Sequence, residues 1–280
     1  RLSRALNRLG PSWVKLGQFL ATRPDVVGTQ LALDLELLQD RMDPFSVEEA
    51  KAAIEGSLGR PADEVFSEFG EAVAAASIAQ VHKARLADDP SKWVAVKVIR
   101  PGVRKRFRRD LETYYFAARL QERFIPAARR LRPISVVDVL AQSARLEMDL
   151  RLEAAAISEM HENTVQDEGF RVPAVDWERT GRDVVTMDWV DGKKLTELAK
   201  EQSPEFDKNK LAETLVQSFL RHTLRDGFFH ADMHPGNLFV DENGVIAAVD
   251  LGITGRLGKK ERLFLAEILY GFITRNYTRV

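Results

Sequence analysis

The stretch His230-Ala-Asp-Met-His-Pro-Gly-Asn237, followed thirteen residues later by Asp250-Leu-Gly252, is the most informative part of this 280-residue chain. Phosphoryl transfer needs a carboxylate to orient the attacking hydroxyl or water. It also needs an amide oxygen and a second carboxylate to hold the divalent cation that bridges the phosphates. Asp232, Asn237 and Asp250 supply that set in order. The Asp-x4-Asn spacing puts two of them on one loop, and the interval to Asp250 fits a single hairpin. Gly252 is expected to let the chain turn sharply beside the metal. His-x-Asp-x-His could instead be a metal triad of its own, since imidazole and carboxylate suit zinc or iron. With Asn237 and Asp250 present, the phosphate-and-metal reading is preferred. His230 is then structural, orienting backbone near Asp250, and the sequence assigns His234 no role.

Upstream, Val94-Ala-Val-Lys97-Val is a short β-branched run that reads as a strand. Alternation puts Ala95, Lys97 and Ile99 on one face. An inward ammonium is costly unless paired, so Lys97 is read as a phosphate contact with a helix acid as partner. Alone, it could equally be an edge-strand lysine reaching water. Before it lies AVAAASIAQVHKARL, residues 72–86. Its tip, with Ala74, Ala75, Ala76 and Ser77, has the small residues of a phosphate-binding turn. Alanine, however, excludes most of the φ > 0 space that glycine permits, so this lid is expected to be stiff.

The acid for Lys97 is sought on a helix expected to run unbroken from about Ser135 to Glu162. Leu146, Leu150, Glu153, Ile157 and Met160 recur at helical steps. Glu153 therefore lies in an apolar stripe and is the first choice, with Glu147 the alternative. Asp149, four residues before Glu153, stacks a like charge beside it and calls for a second cation. Lys15-Leu-Gly-Gln18 lies far upstream in a helix with Trp13, Val14, Phe19 and Leu20; alone it is an ordinary amphipathic segment.

Composition excludes several classes. Net charge is −1, so no global field draws the chain to nucleic acid or acidic lipid. There are no cysteines, hence no disulfide, thiolate nucleophile or Cys-type zinc site. No apolar run approaches the roughly 20 residues of a membrane span. The run Arg100–Arg109 is strongly basic; a solvated helix start is its plain reading and a contact with anionic headgroups its sharper one. Both ends fall within helical patterns, so the chain reads as a piece of something longer.

Residues 1–70 read as helices: one ending at Gly10-Pro11, one capped by Ser12, one from Thr29 to about Gln39, and one from the Ser46/Glu49 capping box to Gly59. Strand period begins near Val73. Helix returns over about 103–130 and again over 210–226, ending at Gly227, and further strands are expected at 183–187, 237–240 and 245–249. The whole is α+β.

Taken together, Lys-x-Gly-Gln, AxASxxQVHxA, VAVKV, Glu-x-Asp, HADxHPGN and Asp-x-Gly resemble the UbiB family of atypical kinase-like proteins, also called the ABC1/ADCK/COQ8 type. The resemblance runs from about residue 10 to the end. It implies a protein-kinase-like, two-lobed fold with an N-terminal helical extension (1–70), an N-lobe (71–190) with a helical insertion at about 103–130, and an incomplete, truncated C-lobe (191–280). Lys15 and Gln18 would lie on the extension as regulatory residues, Lys15 facing Glu147 and Asp149 while Glu153 keeps Lys97. Met187 to Val190 would offer backbone to adenine. The likeness implies binding of ATP or ADP with Mg2+, with Asn237 and Asp250 on the metal, and ATPase activity in preference to protein kinase activity. It also implies a role in ubiquinone or other isoprenoid-lipid biosynthesis. Implied partners are the nucleotide, a lipid or membrane surface and quinone-pathway components, but not nucleic acid. The implied location is cytoplasmic, peripheral on the inner membrane. A small-molecule phosphotransferase and a non-catalytic nucleotide-sensing scaffold are the alternatives.

Overall fold

A computed structural model describes residues 2–36, 38, 42–200 and 206–278. The chain forms two compact units, Arg1–Arg151 with Trp177–Thr186, and Leu152–Asp176 with Met187–Val280.

The first unit opens with four helices, α1 (Leu2–Leu9), α2 (Pro11–Ala21), α3 (Pro24–Val27) and α4 (Thr29–Glu36). The expected end of α4 at Gln39 lies outside the described residues. Leu6, Leu35 and Leu38 form a small core here, with Trp13, Leu20 and Leu31 packed against it. A Cβ on Gly17 would sit 2.3 Å from Leu38 Cδ1 and 2.8 Å from Leu6 Cδ1, so glycine permits this approach. Ser12 does not cap α2. Gly10 occupies the N-cap at φ 106°, Pro11 begins the helix, and the buried Ser12 hydroxyl bonds Asp110. Proline tolerates the first helical turn because its missing N–H would be an orphan there.

Helix α5 (Val47–Leu58) carries the expected capping box, with Ser46 Oγ accepting from Glu49 N at 3.2 Å and Gly59 left-handed at its end. After the single turn α6 (Ala62–Val65), strand β1 (Phe66–Ala75) starts seven residues before the expected change of period. Polar and small residues in FSEFGEAVAA hide it, and its register against β2 (Ala79–Leu86) is interrupted by bulges. Strand β3 (Trp93–Ile99) follows.

Helix α7 (Val103–Phe124), a 3-10 turn (Pro126–Leu131) and α8 (Pro133–Glu147) form a hairpin. Helix α7 lies on α2, where Trp13 meets Tyr114 edge-on at 4.9 Å and Arg106 bonds the Leu9 carbonyl at 2.6 Å. The expected single helix to Glu162 is broken: α8 ends at Glu147, and α9 (Leu150–Thr164) restarts after Met148 at φ −86°, ψ 9°. The apolar stripe is therefore not continuous. Leu146 is 55 % exposed, whereas Leu150, Ile157 and Met160 are buried. Asp149 is off both helices and does not stack on Glu153.

After β4 (Phe170–Arg171), strand β5 (Val184–Asp188) completes a sheet in the order β1-β2-β3-β5. Its core is Val94, Val96, Val98, Ala84, Leu86 and Val184 with Ile54 of α5.

The second unit adds β6 (Lys193–Lys194), α10 (Leu195–Leu198), α11 (Lys208–Arg221), β7 (Phe228–His230), β8 (Leu238–Val240), β9 (Ile246–Ala248), β10 (Thr254–Arg256) and α12 (Lys259–Ile273). Its strands make a sheet β4-β9-β8-β6 and a pair β10-β7. The helix expected over 210–226 stops at Arg221, and His222–Asp226 form a π turn closed by Gly227 at φ 68°. Among the described residues, no helix is long and apolar enough to cross a membrane.

Candidate active site

Two antiparallel strand pairs in the second unit set the geometry of the 230–252 segment. Strand β8 pairs with β9 so that Leu238 faces Ala248, and Val249 N donates to the Asn237 carbonyl at 3.1 Å. Asn237 is thereby placed beside the residue that precedes Asp250. Strand β7 pairs with β10 so that His230 faces Thr254, and Ala231 N donates to the Ile253 carbonyl at 3.0 Å. Asp232 thus emerges opposite the stretch that follows Asp250. The two pairings bring the backbone of Asp232, Asn237 and Asp250 to adjoining strand ends.

Local hydrogen bonds shape the loop. His230 is buried, and its Nδ1 accepts from Asp232 N at 3.1 Å. Burial holds its imidazole below the ordinary value, while the charges of Asp250 and Asp232 and the Ile253 backbone push the other way. Both carboxylates are therefore close enough to be felt at that ring. His234 Nδ1 accepts from Gly236 N at 3.1 Å, capping the 3-10 turn Pro235–Asn237. Each histidine spends a ring nitrogen on backbone, and no group of three His, Cys, Asp or Glu suited to a metal occurs among the described residues. This favours the structural reading of His230 over a histidine triad. Asp250 Oδ1 accepts from Gly252 N at 2.9 Å. Gly252 does not have the positive φ expected of a sharp turn; what it provides is room, since a Cβ there would lie 3.2 Å from that same oxygen.

Asp250 and Asn237 are half-buried and Asp232 is exposed. One carboxylate and one amide oxygen, hard donors with solvent beside them, suit Mg2+, which keeps several waters and takes its remaining oxygens from phosphates. The donor set fits the cation implied by the resemblance.

In the first unit, Lys97 is half-buried on β3, opposite Val81 of β2 and on the face away from the Val94, Val96 and Val98 core. The alanines are less of a loop than expected. Ala74 and Ala75 belong to β1, and only Ala76, Ser77 and Ile78 make the turn, closed by Ala76 N donating to the Ala79 carbonyl at 2.8 Å. Arg100 grips it from β3's end, through its Nη2 to the Ala76 carbonyl at 3.2 Å and its N to the Ile78 carbonyl at 2.8 Å.

Lys15 Nζ pairs with the Glu147 carboxylate, which also accepts from Ser143 Oγ at 3.2 Å. Gln18 is half-buried one turn along α2. Asp149, expected to face Lys15 as well, instead holds Arg151, with Nε at 2.9 Å and Nη2 at 2.7 Å. The break between α8 and α9 turns Asp149 onto its near neighbour. The Arg151 hydrogen bond keeps the Asp149 carboxyl below its ordinary value. Glu153 is buried on α9, and Met187 and Val190 are buried at and just after the end of β5.

Sequence reasoning missed three supports. Gln80 is buried and bonds the Phe45 backbone twice, accepting from its N at 2.9 Å and donating to its carbonyl at 3.0 Å. His82 Nδ1 donates to the Gly70 carbonyl at 2.8 Å and its Nε2 lies 2.8 Å from the Gln80 amide nitrogen. Asp167 gathers Arg221, His222 and Arg225 where α11 passes into the turn that follows it. The available signal for the first two was polar side chains on the core-facing register of β2.

The chain was compared with known proteins. Residues 37–280 match the model of the ABC1 atypical kinase-like domain. The chain is 39% identical over 285 residues to a protein of Marinobacter nauticus named "Probable protein kinase UbiB", and 41% identical to one of that name from Pseudomonas entomophila. It is covered in full in both matches but spans only about half of those relatives, 52% and 53%. Among solved structures, that of Rv3197 with erythromycin from Mycobacterium tuberculosis is 26% identical, with a TM-score of 0.65 over 99% of this chain and 71% of that one. The fold is thus kinase-like as well as α+β, and the chain belongs to the ABC1 family of atypical kinase-like proteins.

Proposed function

We propose that this chain binds ATP with Mg2+ and transfers or hydrolyses its terminal phosphoryl group in support of ubiquinone or related isoprenoid-lipid biosynthesis. The family membership and the names of the relatives support the class of protein. The observation that supports the chemistry is the two strand pairings, β8 with β9 and β7 with β10, whose adjoining ends carry Asp232, Asn237 and Asp250.

Asp232 orients the attacking oxygen and accepts its proton. Its solvent exposure leaves room for an acceptor, which can be water. The Asn237 amide oxygen and the Asp250 carboxylate hold the cation, which when bound neutralises charge on the phosphates. The Gly252 N–H orients Asp250 by taking one lone pair of Oδ1. Lys97 is the phosphate-holding cation, and the Ala76-Ser77 turn its lid. Met187 and Val190 stand where adenine would find backbone groups.

Phosphate release from ATP, titrated with Mg2+, tests the reading. Asp250→Asn and Asn237→Ala should each raise the Mg2+ concentration needed or lower turnover by about 10–100-fold or more, with the melting temperature little changed. Turnover in Asp250→Asn equal to wild type overturns the metal assignment. No nucleotide binding by the wild-type chain overturns the whole reading.

A further inference from the structure

The turn between β1 and β2 is tied to a segment far upstream in the chain. Met42–Phe45 comes after the four opening helices and leads into α5. Met42 N donates to the carbonyl of Ala75, the last residue of β1, at 3.2 Å. Phe45 is held through both its N–H and its carbonyl by the buried Gln80, the residue that pairs with Ala75 across the hairpin.

Arg100 joins the two pieces directly. Its Nη2 donates to the Asp43 carbonyl at 3.0 Å and to the Ala76 carbonyl at 3.2 Å, so a single nitrogen spans both. Its guanidinium lies 5.2 Å from the centre of the Phe45 ring, and its backbone N donates to the Ile78 carbonyl at 2.8 Å. Arginine suits the place. A planar, permanently charged fork bonds carbonyls more strongly than a neutral donor does, and its flat face stacks on an aromatic ring. The effect on the turn is geometric. A trans peptide is planar, with its C=O and N–H pointing opposite ways, and the described residues contain no cis bond. Fixing the Ala76 and Ile78 carbonyls therefore fixes the peptide planes on either side of Ser77-Ile78, and turns the Ser77 N–H away from Arg100. Every residue of this clamp lies in the first unit.

We propose that Arg100 is the positioning residue of the phosphate lid: it clamps the Ala76–Ile78 turn to Met42–Phe45, and so sets how tightly nucleotide is held. This role rests on the reading of Ala76-Ser77 as the nucleotide's lid. Arg100 acts through the peptide planes of the turn, not on the reacting groups, and Gln80 supports it from the neighbouring strand. Alanine already narrows the backbone freedom of the turn; the clamp removes what remains by tying it to a second segment. Coupling between two sites is reciprocal. Nucleotide at the lid therefore tightens Met42–Phe45, just as the clamp tightens the lid.

Arg100→Met keeps the apolar stem and removes every side-chain donor. It should raise KM for ATP and Kd for ADP about tenfold, with kcat within about threefold of wild type, the pattern of lost binding without lost chemistry. Arg100→Lys keeps the charge but loses the fork, and should fall between the two. A merely structural arginine would lower the melting temperature and leave KM and Kd unchanged, and that result overturns the proposal. So does a fall in kcat at unchanged KM. The wild-type chain supplies a second measurement that no folding defect can spoil. Amide hydrogen exchange at Met42 and Phe45 should slow about threefold or more when ADP saturates the chain. Exchange there that ignores saturating ADP overturns the link. Failure of the wild type to bind ADP or ATP overturns the lid reading and this role together. Binding by the wild type with an unaltered Kd in Arg100→Met overturns the role of Arg100 alone.

Discussion

Asp167 is the side chain on which three basic groups of the second unit, Arg221, His222 and Arg225, converge. It is 2 % exposed and accepts from Arg225 Nη1 at 2.7 Å, lies 3.1 Å from His222 Nε2, and has Arg221 at 3.4 Å. Burial works to raise its pKa; the Arg225, His222 and Arg221 interactions outweigh burial and hold it below the ordinary carboxylate range. Arg225 in turn bonds the Asn163 carbonyl at 2.9 Å and Asp226. Asp167→Asn removes the charge on which three cationic or imidazole groups converge. The expected loss is about 2–4 kcal/mol, read from urea unfolding. A loss below about 0.5 kcal/mol would mean a solvated network. In the sequence, Asp167 is one acid of a loop, and its partners lie 54 to 58 positions away. Lys97, Asp232, Asn237 and Asp250 stood out because their types and order are chemically unusual. Asp167, Gln80 and His82 did not, because polar residues in those segments are common.

At the scale of elements, the π turn His222–Asp226 and Gly227 form the joint between α11 and β7. An extra residue in a helical turn re-aims the chain that follows, here the strand leading to Asp232. Gly227 is left-handed at φ 68°, Leu257 N donates to its carbonyl at 2.8 Å, and a Cβ would lie 2.4 Å from the Leu257 carbonyl oxygen. Gly227→Ala therefore meets both a φ penalty and a backbone clash. It should lower stability by about 2 kcal/mol or more, seen as a lower melting temperature. An unchanged melt would show that the turn relaxes freely. Elements built on local signals were legible: the Ser46 box, the β2–β3 hairpin, the β8–β9 hairpin. The break at Met148–Asp149 was not. Its residues have ordinary helix propensity, and what interrupts the helix is tertiary, with Arg104 bonding the Met148 carbonyl and Leu150 N donating to the Arg182 carbonyl at 3.0 Å. Pairing Asp149 with Arg151 followed from that break.

Across the whole molecule, three buried imidazoles, His82, His222 and His230, make stability depend on pH. Burial lowers the pKa of His82, against opposing effects of the Gly70 carbonyl and Glu71. Burial also lowers that of His222, with Asp167 and Asp226 opposing and Arg225 reinforcing. In the unfolded chain all three titrate near 6.5. The folded state binds these protons less readily, so stability is full above that pH and falls as pH drops from about 6.5 toward the depressed folded values. Melting temperatures should decline from about pH 7 to 5, and His82→Gln/His222→Gln should flatten that decline. A slope undiminished in the double variant would place the titration elsewhere; any remainder belongs to His230, whose pKa burial also lowers. Asp167, lowered in the fold, adds a second loss at still lower pH, when its carboxylate protonates.

Residue order alone pointed to the family of this chain. The Asp-x4-Asn loop, the lysine strand and the later Asp-x-Gly are local patterns, and their succession leaves few alternatives for oxygen-donor and phosphate chemistry. The position of β1, the break before α9, the partner of Asp149 and the turn-gripping role of Arg100 were decided by tertiary structure. Each depends on groups far apart in the chain whose burial or pairing outweighs local propensity. The outer face of α7 shows both sources at work. Its charge is evident in the sequence, but only the packing of Tyr114 and Ala118 against the fold revealed that Phe116, Leu120 and Phe124 were left outside.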